Sequence, residues 1–469
     1  METISQVSDF LWTYVIITML VGCAVFFTIR LRGVQFCKMG EMMKLLFSST
    51  QNEGKADKSH KHINSFQAFA VSLSSRVGTG NLAGVASAIC VGGPGAVFWM
   101  WIMALLGAST AFMEATLAQL FKRKGADSFY GGPAYYMQYG LHSRWMGVIF
   151  AFFIIYTFGM ANQITQSNTL CDAVSTAVNV AAGHEVLPSI SVAIGLTLLT
   201  FGIIFGGIQR ISRFAAMVVP FMALGYMVLA LYILIVNIAE VPNMICLIIE
   251  RALGIRQAAG GMLGMAVMQG VKRGLFSNEA GEGSAPNAAA TATISHPVKQ
   301  GLLQALGVFT DTLVICTCTV FIILLSGLFD NGQDGIILTG SAMEHHLGSF
   351  GRWFLTAAIF LFAYSTIIAN YFYGETNIRF ITKKDWAVQL FRIVTGFTVL
   401  MGGFMSLQQT WCLVDLGMAL MTIINLIAVL LLSKYAVRLF KDYFKQKQEG
   451  KDPVFHKDII PELEQDIEW

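Results

Sequence analysis

The chain has 469 residues, 55% of them hydrophobic and only 13% charged, with a formal net charge of +3. A soluble protein of this apolar content carries about a quarter charged residues, so lipid must solvate most of the surface. The small net charge gives no reason to expect nucleic acid, and 45 Gly beside 35 Phe suit membrane helices whose small residues let backbones approach closely.

The N-terminus, METISQVSDFLWTYVIITML, has no basic leader and no small-residue cleavage site, so the first apolar run reads as a retained span. Crossing lipid takes about 20 mostly apolar residues. Eleven windows qualify: near 9–30, 65–91, 95–121, 145–172, 187–207, 213–238, 258–292, 300–327, 351–373, 387–406 and 411–435. Basic residues cluster after alternate windows: Arg30, Arg32, Lys38, Lys44, Lys55, Lys58 and Lys61 after the first, and Lys122, Arg123 and Lys124 after the third. Arg210 and Arg213 follow the fifth, Arg379, Lys383 and Lys384 the ninth, and Lys434, Arg438 and Lys441 the eleventh. Arg251 and Arg256 are the exception, on an expected interfacial helix. The alternation predicts an N-terminus outside and a C-terminus in the cytoplasm. The charged stretch 440–469 lacks apolar periodicity and is expected to be a short helix followed by disorder.

Two windows are interrupted. The second contains SLSSRVGTGNLAGVASAI, with Gly78, Gly80 and Gly84 around Thr79 and Asn81. Such a cluster either allows tight packing or marks an unwound turn; the hydroxyls and amide crowded there favour unwinding, because lipid offers them no partner. The seventh window spans 35 residues, about 52 Å as one helix against a hydrocarbon core of about 30 Å. Its stretch QGVKRGLFSNEAGEGSAPNAAATA carries Lys272, Arg273, Glu279 and Glu282. The favoured break is Met268–Gly274, with Gly281–Gly283 as the alternative. Windows 2–6 and 7–11 form two runs of five, an odd number, so the runs enter the membrane from opposite sides. This predicts an all-α integral membrane protein of 11 transmembrane helices: one N-terminal helix plus a 5+5 inverted repeat with a discontinuous first helix in each half, the arrangement that marks a transporter's central site. The chain then divides into an N-terminal span and cytoplasmic loop (1–63), a first five-helix repeat (64–238), an extracellular interfacial connection (239–257), a second five-helix repeat (258–436) and a cytoplasmic tail (437–469). At a break, freed carbonyls can coordinate Na⁺, and the next half-helix offers free N–H groups to a carboxylate.

Other intramembrane polar residues carry competing readings. Gln163, Gln166 and Asn168 either join helices or bind substrate. Asp311 could bind a cation, carry H⁺, or pair with Arg76, Lys272 or Arg273. Glu114 reads as a structural or gating partner of the Lys272 and Arg273 cations. The cysteines read as small apolar fillers, and the histidines show no metal spacing. No Ser–His or paired-Asp constellation lies in the windows and no Walker A motif is present, so neither an enzyme nor ATP-driven transport is expected. A channel is the runner-up, disfavoured by two broken helices in an inverted repeat.

RVGTGNLAGVA, GGPGAVFWMWIMALLG and GVKRGLFSNEAGEGSAP together resemble the alanine-or-glycine:cation symporter (sodium:alanine symporter) family over nearly the whole chain. The resemblance implies a LeuT-type fold in a prokaryotic cytoplasmic membrane. It also implies uptake of a small neutral amino acid, alanine or glycine, with Na⁺ as coupling ion, occasionally H⁺, and no other cofactor. A larger neutral amino acid such as glutamine is the alternative. VGTGN (Val77–Asn81) is similar to the V-G-x-G-N of neurotransmitter:sodium symporters. By that likeness Gly78, Thr79, Gly80 and Asn81 hold the substrate carboxylate, and Ser74 and Val77 carbonyls with Ser365 and Thr366 hydroxyls bind Na⁺. Arg76 departs from the small residue there and is expected to pair with a carboxylate such as Asp311. Gln166, Gln163, Met268, Gln269 and Phe276 are further pocket candidates. Asn370 stands where many family members have a tryptophan, which implies a roomier or more polar pocket.

Overall fold

Backbone groups in an apolar setting must bond within their own segment, and nearly every apolar stretch is helical in the computed structural model, which describes residues 2–51, 63–125, 128–254, 260–463 and 465–469. Lys55, Lys58, Lys61 and Arg256 lie outside the described residues. The main helices are α1 (Thr3–Arg30), α2 (Ser65–Arg76), α3 (Gly80–Gly92), α4 (Gly95–Leu120), α5 (Arg144–Ala182) and α6 (Ser189–Ile204). They continue as α7 (Gly207–Val236), α8 (Val241–Leu253), α9 (Gly260–Asn278), α10 (Val298–Leu325), α11 (Ser349–Ile381), α12 (Asp385–Met401) and α13 (Leu407–Gln448). Seven of them, α1, α4, α5, α7, α10, α11 and α13, are long and apolar enough to cross a membrane; α3 and α6 are shorter apolar helices. A short antiparallel pairing of Arg123–Lys124 with Phe129–Tyr130 is the sheet element among the described residues.

The second window breaks where its glycines lie. An Asn64–Gln67 capping box starts α2, and the helix stops at Arg76 before α3 resumes at Gly80. The seventh window does not break at Met268–Gly274, as its sequence suggested: α9 runs unbroken to Asn278. Gly270 and Gly274 are packing positions instead. A Cβ on Gly270 would lie 2.3 Å from Ala96 O and 2.7 Å from Trp99 Cβ, and one on Gly274 would lie 3.4 Å from Met100 Cα. The small residues let α9 lie directly against α4. The break falls at 279–285, where Glu279, Gly281 and Gly283 take positive φ of 56°, 102° and 83°, a left-handed geometry that glycine tolerates best. Widened π-helical turns begin α3 (Gly80–Gly84) and interrupt α5 (Thr157–Ala161) and α10 (Phe309–Cys316); such turns recur at functional sites.

The C-terminal stretch is not disordered. After α13 ends, residues 451–463 and 465–469 run back across one face of the bundle, with Ile460 (0% exposed), Leu463 (2%) and Ile467 (3%) buried. Phe455 N donates to Ser295 O at 2.9 Å, and Trp469 Nε1 donates to Gln119 O at 2.9 Å. Lys122 Nζ sits 4.1 Å from the Trp469 ring, and Arg123 pairs with Glu468 at 3.3 Å. The anchors escape a helical reading because the segment is extended, with single 3₁₀ turns at Lys457–Ile459 and Pro461–Leu463. Truncating Ile460 to alanine is expected to cost about 2–4 kcal/mol of docking. Trypsin should then cut at Lys451 or Lys457 at least about tenfold faster; an unchanged cleavage rate would show that the docking contributes little.

Candidate functional site

The first break gathers the polar groups singled out above. Gly78 N, released from the helical pattern, donates to Asn81 Oδ1 (3.0 Å) and to Arg76 O (2.9 Å). Thr366, on α11, faces the end of α2: its Oγ1 lies 2.7 Å from Ser74 O, 2.9 Å from Phe362 O and 3.4 Å from Val77 O. One hydroxyl hydrogen cannot satisfy both Ser74 O and Val77 O, so these two carbonyls at the end of α2 are left under-satisfied, whereas Phe362 O is bonded within α11. Ser365 is not part of it, since its Oγ donates to Phe362 O at 3.0 Å and neighbours Met222.

On the other side of the turn, Thr79 N donates to Gln166 Oε1 at 3.0 Å, while Gln166 Nε2 is held by Asn162 Oδ1 at 2.9 Å. The π-helical turn of α5 ends immediately before Asn162 and aims both amides at the break. Gly80 is packed under Phe276, 2.8 Å from where its Cβ would stand, and Phe276 meets Trp411 edge-on at 4.7 Å. Above them opens a cavity of about 750 Å³ lined by Gln269, Arg273, Trp411, Asp172, Ser87 and Asp334. Gln269 therefore belongs to a vestibule and not to the turn. Met268 faces α1, accepting from Thr13 Oγ1 at 3.4 Å. Gln163 joins α5 to α11 by donating to Ile367 O at 3.0 Å, and Asn168 donates to Gly402 O and Met405 O.

The charged residues take partners different from those expected. Asp311 is fully buried and accepts from Asn81 Nδ2 (2.6 Å), Ser277 Oγ (2.5 Å) and Thr312 Oγ1 (3.0 Å), which links the two breaks. Arg76 forms no pair with it; Arg76 Nη1 donates to Gln304 O at 3.3 Å. Glu114 does not meet the α9 cations. Its oxygens accept from Gly281 N (3.2 Å) and Asn425 Nδ2 (2.9 Å). Lys272 and Arg273 instead converge on Asp415 at 3.0 and 2.7 Å, with Asp9 a further 3.3 Å partner of Lys272. These cations cannot belong to an inner gate at the second break. They stand one to two helical turns before it, on the vestibule side, because α9 stays helical to Asn278.

Sequence reasoning missed Asp415, although a carboxylate inside the last window is the same signal that singled out Asp311. Ser75, which the sequence offers only as one of the hydroxyls crowded at the first break, has its Oγ 2.5 Å from Glu279 Oε1 and 2.8 Å from the Asn370 amide. Asn162 and Trp411 carried no signal, since only the fold brings them to the break.

Chemically, the turn juxtaposes carbonyl oxygens fit for a monovalent cation with a main-chain N–H fit for a carboxylate. The family model described as the sodium:alanine symporter family matches residues 1–457. The chain is 48% identical to the probable sodium/glutamine symporter GlnT of Bacillus subtilis, covering 97% of this chain and 92% of that protein. It is 47% identical to the amino-acid carrier protein AlsT of the same organism, covering 98% and 96%. It is 36% identical to the sodium/proton-dependent alanine carrier protein of Bacillus sp. PS3, covering 84% and 91%. A match of this extent identifies the chain as a member of the sodium:alanine symporter family.

Proposed function

We propose that the protein imports a small neutral amino acid, alanine or glycine, by Na⁺ symport across a bacterial cytoplasmic membrane. The supporting observation is the pairing at one turn of Thr366 Oγ1 with the Ser74 and Val77 carbonyls and of Thr79 N with a displaceable side-chain oxygen, Gln166 Oε1. In this reading Na⁺ is held by Thr366 Oγ1 together with the Ser74 and Val77 carbonyls. The substrate carboxylate replaces Gln166 Oε1 at the Thr79 and Gly80 amides, where the start of α3 adds its dipole. Phe276 and Trp411 close over the substrate.

One N-terminal crossing and two inverted five-helix repeats, eleven crossings in all, surround this centre, and the repeats rock about it. The face covered by the tail is cytoplasmic in this reading, because basic residues gather at it: Lys38 lies over Phe444, Lys122 over Trp469, Arg123 pairs with Glu468 and Lys447 with Glu41. Glutamine is a second candidate substrate, favoured by Asn370, whose buried amide lies 2.8 Å from Ser75 Oγ beside the first break.

The test is uptake of labelled alanine, glycine and glutamine into proteoliposomes with a Na⁺ or H⁺ gradient imposed separately. Thr366→Ala is expected to raise the Na⁺ concentration for half-maximal uptake about tenfold, the equivalent of one lost charge-assisted contact of about 1.4 kcal/mol. An unchanged Na⁺ dependence removes Thr366 from the ligand set, and flux independent of any gradient sinks symport.

A further inference from the structure

The second break encloses a group that the substrate and Na⁺ readings do not use. Glu282 lies between the left-handed Gly281 and Gly283 and is 0% exposed. Neither of its carboxyl oxygens has a hydrogen-bond donor among the described residues. Its two acidic neighbours are built differently. Glu279 accepts from Ser75 Oγ and Ser284 Oγ, each at 2.5 Å, and Glu114 accepts from Gly281 N and Asn425 Nδ2. Those two have donors on both oxygens, as an ionised carboxylate requires; Glu282 has none.

The charges around Glu282 point the same way. From α4 comes Glu114, from its own segment Glu279, from α2 Arg76, and from α13 Asp415, already engaged by Lys272 and Arg273. Tyr136 faces the same cluster through its hydrogen bond to Asn425. Arg76 is 1% exposed, with Nε and Nη2 unpartnered, and its charge reaches both Glu279 and Glu282. With all three glutamates ionised, one guanidinium would face three carboxylates in a dry interior, where each uncompensated ion costs several kcal/mol. The arrangement favours at least one neutral carboxyl, and Glu282 is the one without donors. A metal ion would need several oxygen ligands, yet the Gly281 and Gly283 carbonyls accept from Asn425 and Asn287, and the Glu279 oxygens accept from Ser75 and Ser284. A proton needs one.

We propose that Glu282 is a proton-carrying group of the transport cycle, neutral in the state seen here and ionised when its segment meets water. The step is a simple transfer: the carboxyl O–H bond breaks, H⁺ passes to water on one side of the membrane, and the carboxylate takes H⁺ back from water on the other. The segment is suited to this. A Cβ at Gly281 would stand 3.1 Å from Leu20, and one at Gly283 would stand 2.7 Å from Pro133 and 2.8 Å from Asn425. The turn is thus wedged between α1, α13 and the helix Pro133–Gly140, and any rearrangement of these elements changes the surroundings of Glu282. The proposal rests on the symport reading for its coupling, though not for the protonation itself.

The experiment compares the full-length protein with Glu282→Gln. Infrared difference spectra should show a protonated-carboxyl C=O band that the variant lacks; an identical band in both overturns the proposal whatever the transport activity. In proteoliposomes holding a pH-sensitive dye, substrate should drive H⁺ movement in the wild type and at least about tenfold less in Glu282→Gln, with substrate exchange retained. Absence of H⁺ movement in the wild type makes the proton structural and overturns the coupling. If Glu282→Gln does not fold, Glu282→Asp should shift the pH of half-maximal uptake, and an unshifted profile overturns the proposal. Wild-type liposomes with no uptake at all would sink symport and the coupling together, while the infrared band would still decide whether Glu282 holds a proton.

Discussion

Gly78→Ala is expected to abolish most uptake while leaving the protein folded. The added Cβ would stand 2.5 Å from Thr366 Oγ1 and 3.0 and 3.2 Å from the two amide atoms of Gln166. The first distance is shorter than real carbon contacts allow, so Thr366 or the turn must move. Thr366 is held by three carbonyls at 2.7–3.4 Å, and Gln166 by Thr79 N and Asn162. Neither is a loose side-chain end. Overpacking of this kind costs about 1–3 kcal/mol, which corresponds to a loss of about fivefold to about 150-fold when it falls on the step that binds both ligands. Both the Na⁺ and the substrate concentrations for half-maximal uptake should rise, because Gly78 touches both sides of the turn. Initial rates over a grid of the two concentrations check this, alongside a thermal unfolding curve. Wild-type kinetics in this variant would place the transport site elsewhere.

Asp415→Asn is expected to be the most destabilising of the polar substitutions. The Asp415 side chain is 6% exposed, and the Lys272 and Arg273 side chains are 5% and 6% exposed. Removing the shared carboxylate leaves two buried cations with only Asp9, itself half-exposed, as a partner for Lys272. Breaking one side of a buried pair costs about 3–5 kcal/mol. Arg273 also lies 4.0 Å above the Trp411 ring, so the loss should loosen the cover over the turn as well as the fold. Thermal unfolding in detergent measures the first effect, and substrate leakage from preloaded liposomes the second. Adding Lys272→Met to Asp415→Asn should restore at least about 1 kcal/mol, because it removes one unpaired charge. No recovery in the double variant would mean that the triad is not the source of the loss.

The two helix breaks show how far local reading carries. Around Val77–Asn81 the glycines and the polar side chains fall within the same few residues, so the sequence places the turn correctly. In the seventh window two sets of glycines compete, Gly270 with Gly274 and Gly281 with Gly283, and residue type does not separate them. What separates them is the partner: Ala96 and Trp99 press on Gly270, whereas Gly281 and Gly283 need positive φ. The charged residues fail for the same reason. Lys272 and Arg273 are four and three positions from Phe276, yet their carboxylate sits on α13, more than 140 residues later, and nothing local to α9 names it.

Composition, hydrophobic window length and the long glycine-rich motifs thus settle by themselves that the chain is a helical membrane protein of the sodium:alanine symporter family. These properties depend on burial in lipid and on backbone bonding within single segments, both of which are local. Which glycine bends and which one packs, which carboxylate neutralises which cation, and the docking of Phe455 to Trp469 across the bundle face were decided only by the tertiary structure. Those outcomes depend on contacts between segments far apart in the chain. A side chain is driven to its place by the energy of leaving a buried charge or hydrogen bond unmatched, and the matching group belongs to another helix.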